Sequence, residues 1–244
     1  MTKISLPQPV TVTKIIKENS HTRTFITDIN LPAMPGQFVM IWLPRQAEKP
    51  FSLTTTHPFS FTVMTVGPFT KILNTALQSG DRIWYRGPFG RGTYTPVPGK
   101  TILVSGGCGC VPLYCLAQTL KSKTSTRVII GAKTKTELLF VNRFRRLGLK
   151  TVITTDDGTA GLKGFTTNAL EAILKTEKIA CVYGCGPDPM LKTIADLCRA
   201  HHVRYQLSLE ALMKCGFGIC GSCSRKGKLV CLDGPVFTRW PDTL

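Results

Sequence analysis

The chain has 244 residues, 43% of them hydrophobic and 18% charged, which is the composition of a folded globular protein and excludes a disordered one. Its net charge of +17 comes from scattered basic residues, in no run longer than Arg145-Arg146 or Arg225-Lys226 and without interleaved aromatics, so no nucleic-acid surface is expected and docking to an acidic protein fits better. No apolar run approaches the ~20 residues of a membrane span, Met1 to Val10 lacks a signal-peptide pattern, and ten cysteines in the cytoplasm so expected point to metal or redox chemistry, not to disulfides.

The first part of the chain reads as short strands. Residues 10–15 alternate as a half-buried strand does, and 37–43 repeat the pattern behind a Pro35-Gly36 turn. Residues 59–66 and 81–86 read as further strands, with one short helix over 71–78. Short strands closed by Gly and Pro turns predict a small antiparallel barrel. Pro96-Val97-Pro98-Gly99 reads as a linker. Behind it strands over 101–105, 127–131, 150–155 and 179–184 alternate with helices from about Val111 and over 135–145, 166–174 and 189–201. That alternation predicts a doubly wound parallel sheet. In the last helix Met190, Leu191, Ile194 and Leu197 form the apolar face. From Leu209 the chain turns rich in Cys and Gly. The fold class is therefore α+β multidomain: an antiparallel β-barrel over 1–96, a doubly wound parallel α/β domain over 97–207, and a small C-terminal cysteine lobe over 208–244.

That lobe holds the most specific motif. Cys215, Cys220 and Cys223 are spaced C-x4-C-x2-C, and seven residues separate Cys223 from Cys231. This is the plant-type [2Fe-2S] spacing. Two irons bridged by sulfides need four converging thiolates, and Gly216, Gly218 and Gly221 let the backbone turn its N–H groups toward the sulfurs. The short gap before Cys231 predicts a tight hairpin at Gly227. A structural zinc site expects two C-x2-C-like pairs, and this segment has one.

Two glycine-rich turns follow strands and open helices: Gly106-Gly107-Cys108-Gly109-Cys110-Val111-Pro112, and Gly184-Cys185-Gly186-Pro187-Asp188-Pro189-Met190. Glycines there admit a pyrophosphate to backbone N–H groups at a helix N-terminus. Residues 156–164 form a third strand-to-helix loop. Cys108, Cys110, Cys115, Cys181 and Cys198 read as small apolar side chains. No paired carboxylates or Ser-His-Asp set stands out, so bound cofactors are expected to carry the chemistry.

The order Lys49-Pro50-Phe51-Ser52, Gly106-Gly-x-Gly-x-x-Pro112 and Cys185-Gly-Pro-x-Pro-Met190 resembles the ferredoxin–NADP reductase superfamily. With the cysteine motif and Cys231-Leu-Asp-Gly-Pro-Val-Phe237, nearly the whole chain is similar to the electron-transfer subunits of class 1B dihydroorotate dehydrogenases. The resemblance implies an FAD-binding barrel, an NAD-binding α/β domain and a [2Fe-2S] lobe ligated by Cys215, Cys220, Cys223 and Cys231. It places the flavin on Lys49, Pro50, Phe51 and Ser52 and on Thr62, Val63 and Met64, and its pyrophosphate by Phe69 and Thr70. Lys49 stands where the family has arginine, and Phe69 where it has glycine. NAD falls on Gly106, Gly107, Gly109, Gly186 and Pro187, with Cys185 near the nicotinamide as candidate catalytic residue. The implied partner is an FMN-containing dihydroorotate dehydrogenase catalytic subunit, in a heterotetramer of two plus two. Electrons would pass from its FMN through the cluster to FAD and NAD, in pyrimidine biosynthesis. Lys214, Arg225, Lys226 and Lys228 flank the cluster, either as a surface for an acidic partner or as a solvated loop. A diaphorase-like subunit of another complex, such as a cytoplasmic hydrogenase, shares this layout. A basic zinc-bearing nucleic-acid module is the remaining alternative.

Overall fold

A computed structural model describes residues 6–120 and 125–240. It divides into two compact units: one runs to Thr93 and takes back Ala211–Pro235, and the other holds Tyr94–Glu210 and the chain from Val236.

The first unit is a closed antiparallel barrel of six strands. They are β1 (Gln8–Lys17), β2 (Thr22–Thr27), β3 (Phe38–Leu43), β4 (Ala47–Thr56), β5 (Phe59–Met64) and β6 (Arg82–Phe89), in the order β1-β2-β5-β4-β3-β6. Closure leaves no strand edge unpaired. The interior fills with rings: Phe61 lies 5.3 Å from Phe25 and 5.9 Å from Phe59. Between β5 and β6 comes α1 (Pro68–Ala76). The Thr70 hydroxyl starts it by accepting from the N–H groups of Val66 and Gly67, at 2.9 and 3.0 Å. The helix thus begins three residues before the predicted 71, because a proline at the first helical position was available.

The second unit carries β7 (Thr101–Gly106), α2 (Cys110–Leu120), β8 (Thr126–Ala132), α3 (Val141–Arg146), β9 (Lys150–Thr155), β10 (Leu162–Lys163), α4 (Thr166–Thr176), β11 (Cys181–Cys185), α5 (Asp188–Ala200) and β12 (Arg204–Ser208). In the first unit, β13 (Ser224–Arg225), β14 (Lys228–Leu229) and α6 (Val230–Asp233) follow, and β15 (Val236–Phe237) returns to the second sheet. That sheet has the order β10-β9-β8-β7-β11-β12-β15, parallel except for the last pair. The chain winds outward from β7 in one direction and from β11 in the other, so the crevice between those strands is the topological switch point.

Four expectations need correction. Residues 96–99 are no free linker: Val97 is buried and its N–H donates to the Tyr183 hydroxyl at 2.9 Å. Residues 135–145 do not form one helix: a 3-10 turn spans Lys135–Glu137, and α3 begins only after Phe140, whose φ of +61° breaks the run. On α5 the buried side chains are Leu191, Ile194, Ala195 and Cys198, while Met190 and Leu197 are half-buried. The cysteine segment is not a separate body over 208–244, since Ala211–Pro235 packs with the barrel. Its end is tied to the barrel exit, where Arg91 N–H donates to Leu232 O at 3.1 Å and Gly92 N–H to Gly234 O at 2.9 Å. The hairpin at Gly227 is present, with Arg225 opposite Lys228 and positive φ at Lys226 and Gly227.

Candidate cofactor sites

The four motif cysteines gather in two pairs. Cys223 and Cys231 are buried with their sulfurs 3.2 Å apart, and the Cys231 N–H approaches the Cys223 sulfur at 3.5 Å. Cys215 and Cys220 are hydrogen-bonded to each other at the more open end. Burial opposes ionisation of Cys215, but N–H groups of Cys220, Phe217 and Ile219 outweigh it and lower its pKa. The Ser222 hydroxyl and N–H bring Cys220 down to about 6, whereas burial and then Cys223 push Cys231 up to about 12. Positive φ at Gly216, Gly218 and Gly221 turns the loop so that its amides face sulfur. Among the described residues no three His, Cys, Asp or Glu side chains close on one ion position. Two thiol pairs with inward amides suit a two-iron centre, in which each iron takes two thiolates.

On the barrel, the residues assigned to flavin share adjacent strands. Lys49, Pro50, Phe51 and Ser52 lie on β4, opposite Ile41, Met40, Val39 and Phe38 of β3. Lys49 is exposed and Ser52 half-buried. Thr62, Val63 and Met64 end β5, but only Met64 faces outward, at 39% exposure. Thr62 turns inward, its hydroxyl 2.7 Å from that of Thr54 and 2.8 Å from that of Thr24, so its side chain is committed to the barrel. Phe69 is also turned in, its ring 6.4 Å from that of Phe51. It therefore leaves the start of α1 uncrowded. Gly67 supplies the open backbone there, since a Cβ on it would meet nothing within 4 Å. Thr70 caps the helix as described, which leaves its side chain a structural part.

In the second unit the two glycine loops lie side by side at the ends of β7 and β11, with Ser105 opposite Cys185. A Cβ on Gly109 would sit 2.0 Å from the Cys185 carbonyl oxygen, one on Gly106 3.0 Å from Met190 and Pro187, and one on Gly186 2.5 Å from Met190. These three glycines serve the contact between the loops. Gly107, at φ +54° with nothing within 4 Å, is the position left open to a ligand. Pro187 is exposed at the start of α5. Cys185 is buried at the end of β11, opposite Ser208 of β12. Burial raises its pKa far above the usual thiol value, the Glu210 carboxylate adds to this, and the Ser208 hydroxyl opposes it. The group is a neutral thiol. Tyr94 closes the other side, its hydroxyl donating to Gly184 O at 3.0 Å. Ser208, Glu210 and Tyr94 carried no motif; Ser208 comes to Cys185 through strand register, and Glu210 and Tyr94 from chain outside the strands.

Comparison with known proteins shows the family and the fold. The family described as the iron-sulfur cluster binding domain of dihydroorotate dehydrogenase B matches residues 210–240. The dihydroorotate dehydrogenase B (NAD+) electron transfer subunit of Methanocaldococcus jannaschii is 41% identical over 236 residues, covering 96% of this chain and 89% of that protein. The protein of the same name from Pyrococcus horikoshii is 44% identical over 230 residues, covering 94% and 89%. This chain belongs to the dihydroorotate dehydrogenase B electron-transfer subunit family. A solved structure of the NADH-dependent reduced ferredoxin-NADP oxidoreductase, studied for flavin-based electron bifurcation, superposes with a TM-score of 0.83 at 30% identity, covering 97% of this chain and 89% of that one. The cytochrome b5 reductase domain of Ulva prolifera nitrate reductase shares the fold, with a TM-score of 0.67 at 20% identity over 82% and 94% of the two chains. As an electron-transfer subunit of this family the chain is part of an oxidoreductase. Among the described residues no helix is long and apolar enough to cross a membrane.

Proposed function

We propose that this subunit carries electrons from the FMN of a dihydroorotate dehydrogenase catalytic subunit to NAD, in pyrimidine biosynthesis, as half of a heterotetramer of two plus two. It holds FAD on β4, β5 and the start of α1, a [2Fe-2S] cluster on Cys215, Cys220, Cys223 and Cys231, and NAD at the Gly107 and Pro187 loops. The pairing of four thiols with inward amides is the observation that carries this reading. When bound, FAD exchanges two electrons with a nicotinamide and single electrons with an iron–sulfur cluster.

The chain's own residues bind and orient. Lys49 offers its ammonium to the flavin phosphates as a point charge, without the fork that arginine has. The first turn of α1 adds N–H donors for a phosphate. Cys185, protonated and fixed by Ser208, presents a thiol to the nicotinamide and exchanges no proton in the working pH range. The buried Cys223 and Cys231 would hold one end of the cluster away from water, and the exposed Cys220 would hold the end nearer a partner. Ten cysteines with no disulfide between them among the described residues suit the cytoplasm.

The test is a visible spectrum of the anaerobically purified full chain with iron, acid-labile sulfide and flavin assays. Two irons, two sulfides and one FAD per chain are expected. A colourless, zinc-containing protein would refute the proposal.

A further inference from the structure

Within the first unit, one side chain joins the barrel wall to the cluster loop. Arg86 of β6 lies opposite Met40, and Glu48 of β4 opposite Trp42, so the two flank β3 from either side. The Arg86 fork closes on the Glu48 carboxylate, Nε to Oε1 at 2.7 Å and Nη2 to Oε2 at 2.6 Å. Both side chains are largely withdrawn from water, at 12% and 21% exposure. Two parallel bonds fix the plane of the guanidinium. A second hydrogen on Nη2 then reaches the carbonyl oxygen of Cys215, at 3.1 Å. The guanidinium carbon lies 5.6 Å from the centre of the Phe89 ring and 5.5 Å from that of Phe217. Between Cys215 and Phe217, a Cβ on Gly216 would stand 3.0 Å from Met40 and 3.2 Å from Phe89. Three consecutive residues are thus seated on the barrel: 215 by its carbonyl, 216 by close approach and 217 by its ring.

Stability alone gives little reason for this arrangement. A partly buried ion pair is often no more stabilising than packed apolar side chains of the same volume. What it does supply is a fixed charge pair beside the first cluster ligand.

We propose that Arg86, held by Glu48, is the positioning residue of the cluster loop, and that this charge pair sets the electron affinity of the cluster. The inference rests on the cluster reading given above. A [2Fe-2S] centre gains one negative charge on reduction, so a nearby cation favours the reduced form and a nearby anion opposes it. Together Arg86 and Glu48 nearly cancel. Removing Arg86 leaves the Glu48 carboxylate unbalanced; neutralising Glu48 leaves the Arg86 cation unbalanced. The two changes therefore move the potential in opposite directions. A brace with no electrostatic part would give both variants a shift of the same sign, from the same loosened loop.

The experiment is an EPR-monitored redox titration of the anaerobic full chain, with iron, sulfide and flavin contents measured alongside. The variants are Arg86→Met, Arg86→Lys, Glu48→Gln and the double Arg86→Met/Glu48→Gln. Arg86→Met is expected to give a more negative midpoint and Glu48→Gln a more positive one. The double variant should return toward the native value, and Arg86→Lys should recover most of the shift. Cluster loss in air should be several times faster for Arg86→Met than for Arg86→Lys. Equal potentials throughout, or shifts of one sign in both single variants, overturn the proposal. If Arg86→Met loses its flavin and does not fold, Glu48→Gln decides by itself, since it keeps the Arg86 bond to Cys215; an unchanged midpoint there overturns it. A native chain without iron and sulfide refutes the cluster reading, a result separate from failure of the charge pair.

Discussion

Cys185 and Cys220 carry the same functional group in opposite surroundings. Ser222 and its amide lower the Cys220 thiol, while burial and Glu210 raise Cys185. A raised thiol pKa keeps the group protonated through neutral and mildly alkaline pH, and the thiolate appears only in strong base. NADH oxidation with a dye acceptor is therefore expected to show no step in its pH profile from Cys185. If, as proposed, the side chain acts as a placed donor, Cys185→Ser should keep most of the rate. Cys185→Ala should lose a hydrogen bond of about 1 kcal/mol, roughly fivefold in rate. Stopped-flow flavin reduction by NADH measures both, with flavin content as the check on folding. Cys115 and Cys198, each raised by burial to about 12, should resist alkylation in the native chain at neutral pH.

At the scale of the element, the glycine loops separate into two roles. Gly109 has its missing Cβ filled by the Cys185 carbonyl, so Gly109→Ala must push the β7 and β11 loops apart. A cost of about 1–3 kcal/mol in thermal stability is expected, as for other overpacked sites, together with a raised KM for NADH. Gly107→Ala meets no atom, and its cost is only the left-handed backbone, about 1–2 kcal/mol. Thermal melts and NADH saturation curves of the two variants test the distinction. The sequence showed that both loops follow strands and open helices, because glycines behind an apolar run are a local signal. Which glycine faces a ligand was not legible, since that depends on the neighbouring loop in space. The same limit explains β15, which the pattern did not reveal: it is two residues long and pairs with β12 across a long sequence gap. It also explains why the cysteine segment read as a separate lobe. Its seat on the barrel runs through Arg86 and Cys215, 129 residues apart. The cluster spacing and the Gly227 hairpin were legible because every part lies within one short stretch.

For the molecule as a whole, the barrel and the cluster segment share a unit yet have different sources of stability. The barrel closes on its own strands and on a ring core of Phe25, Phe59 and Phe61. The cysteine segment has little regular structure beyond a two-strand hairpin and α6, and metal bound by thiolates contributes folding free energy to such segments. Removing one thiol should then empty the cluster and leave the barrel standing. Cys220 is the proposed ligand to change, because it is exposed and its loss opens no cavity in the core. In Cys220→Ser, iron and sulfide should fall away while FAD stays bound. NADH oxidation by a two-electron dye should persist, since it needs only the flavin and nucleotide sites. Dihydroorotate-dependent NAD reduction in the complex with the catalytic subunit should drop to background, because the one-electron link between the subunits is gone. Assays of the two activities on one preparation separate the halves of the path. If dye reduction vanishes with the cluster, flavin retention depends on the cysteine segment, and the barrel cannot be the independent scaffold that its closed strands and ring core imply.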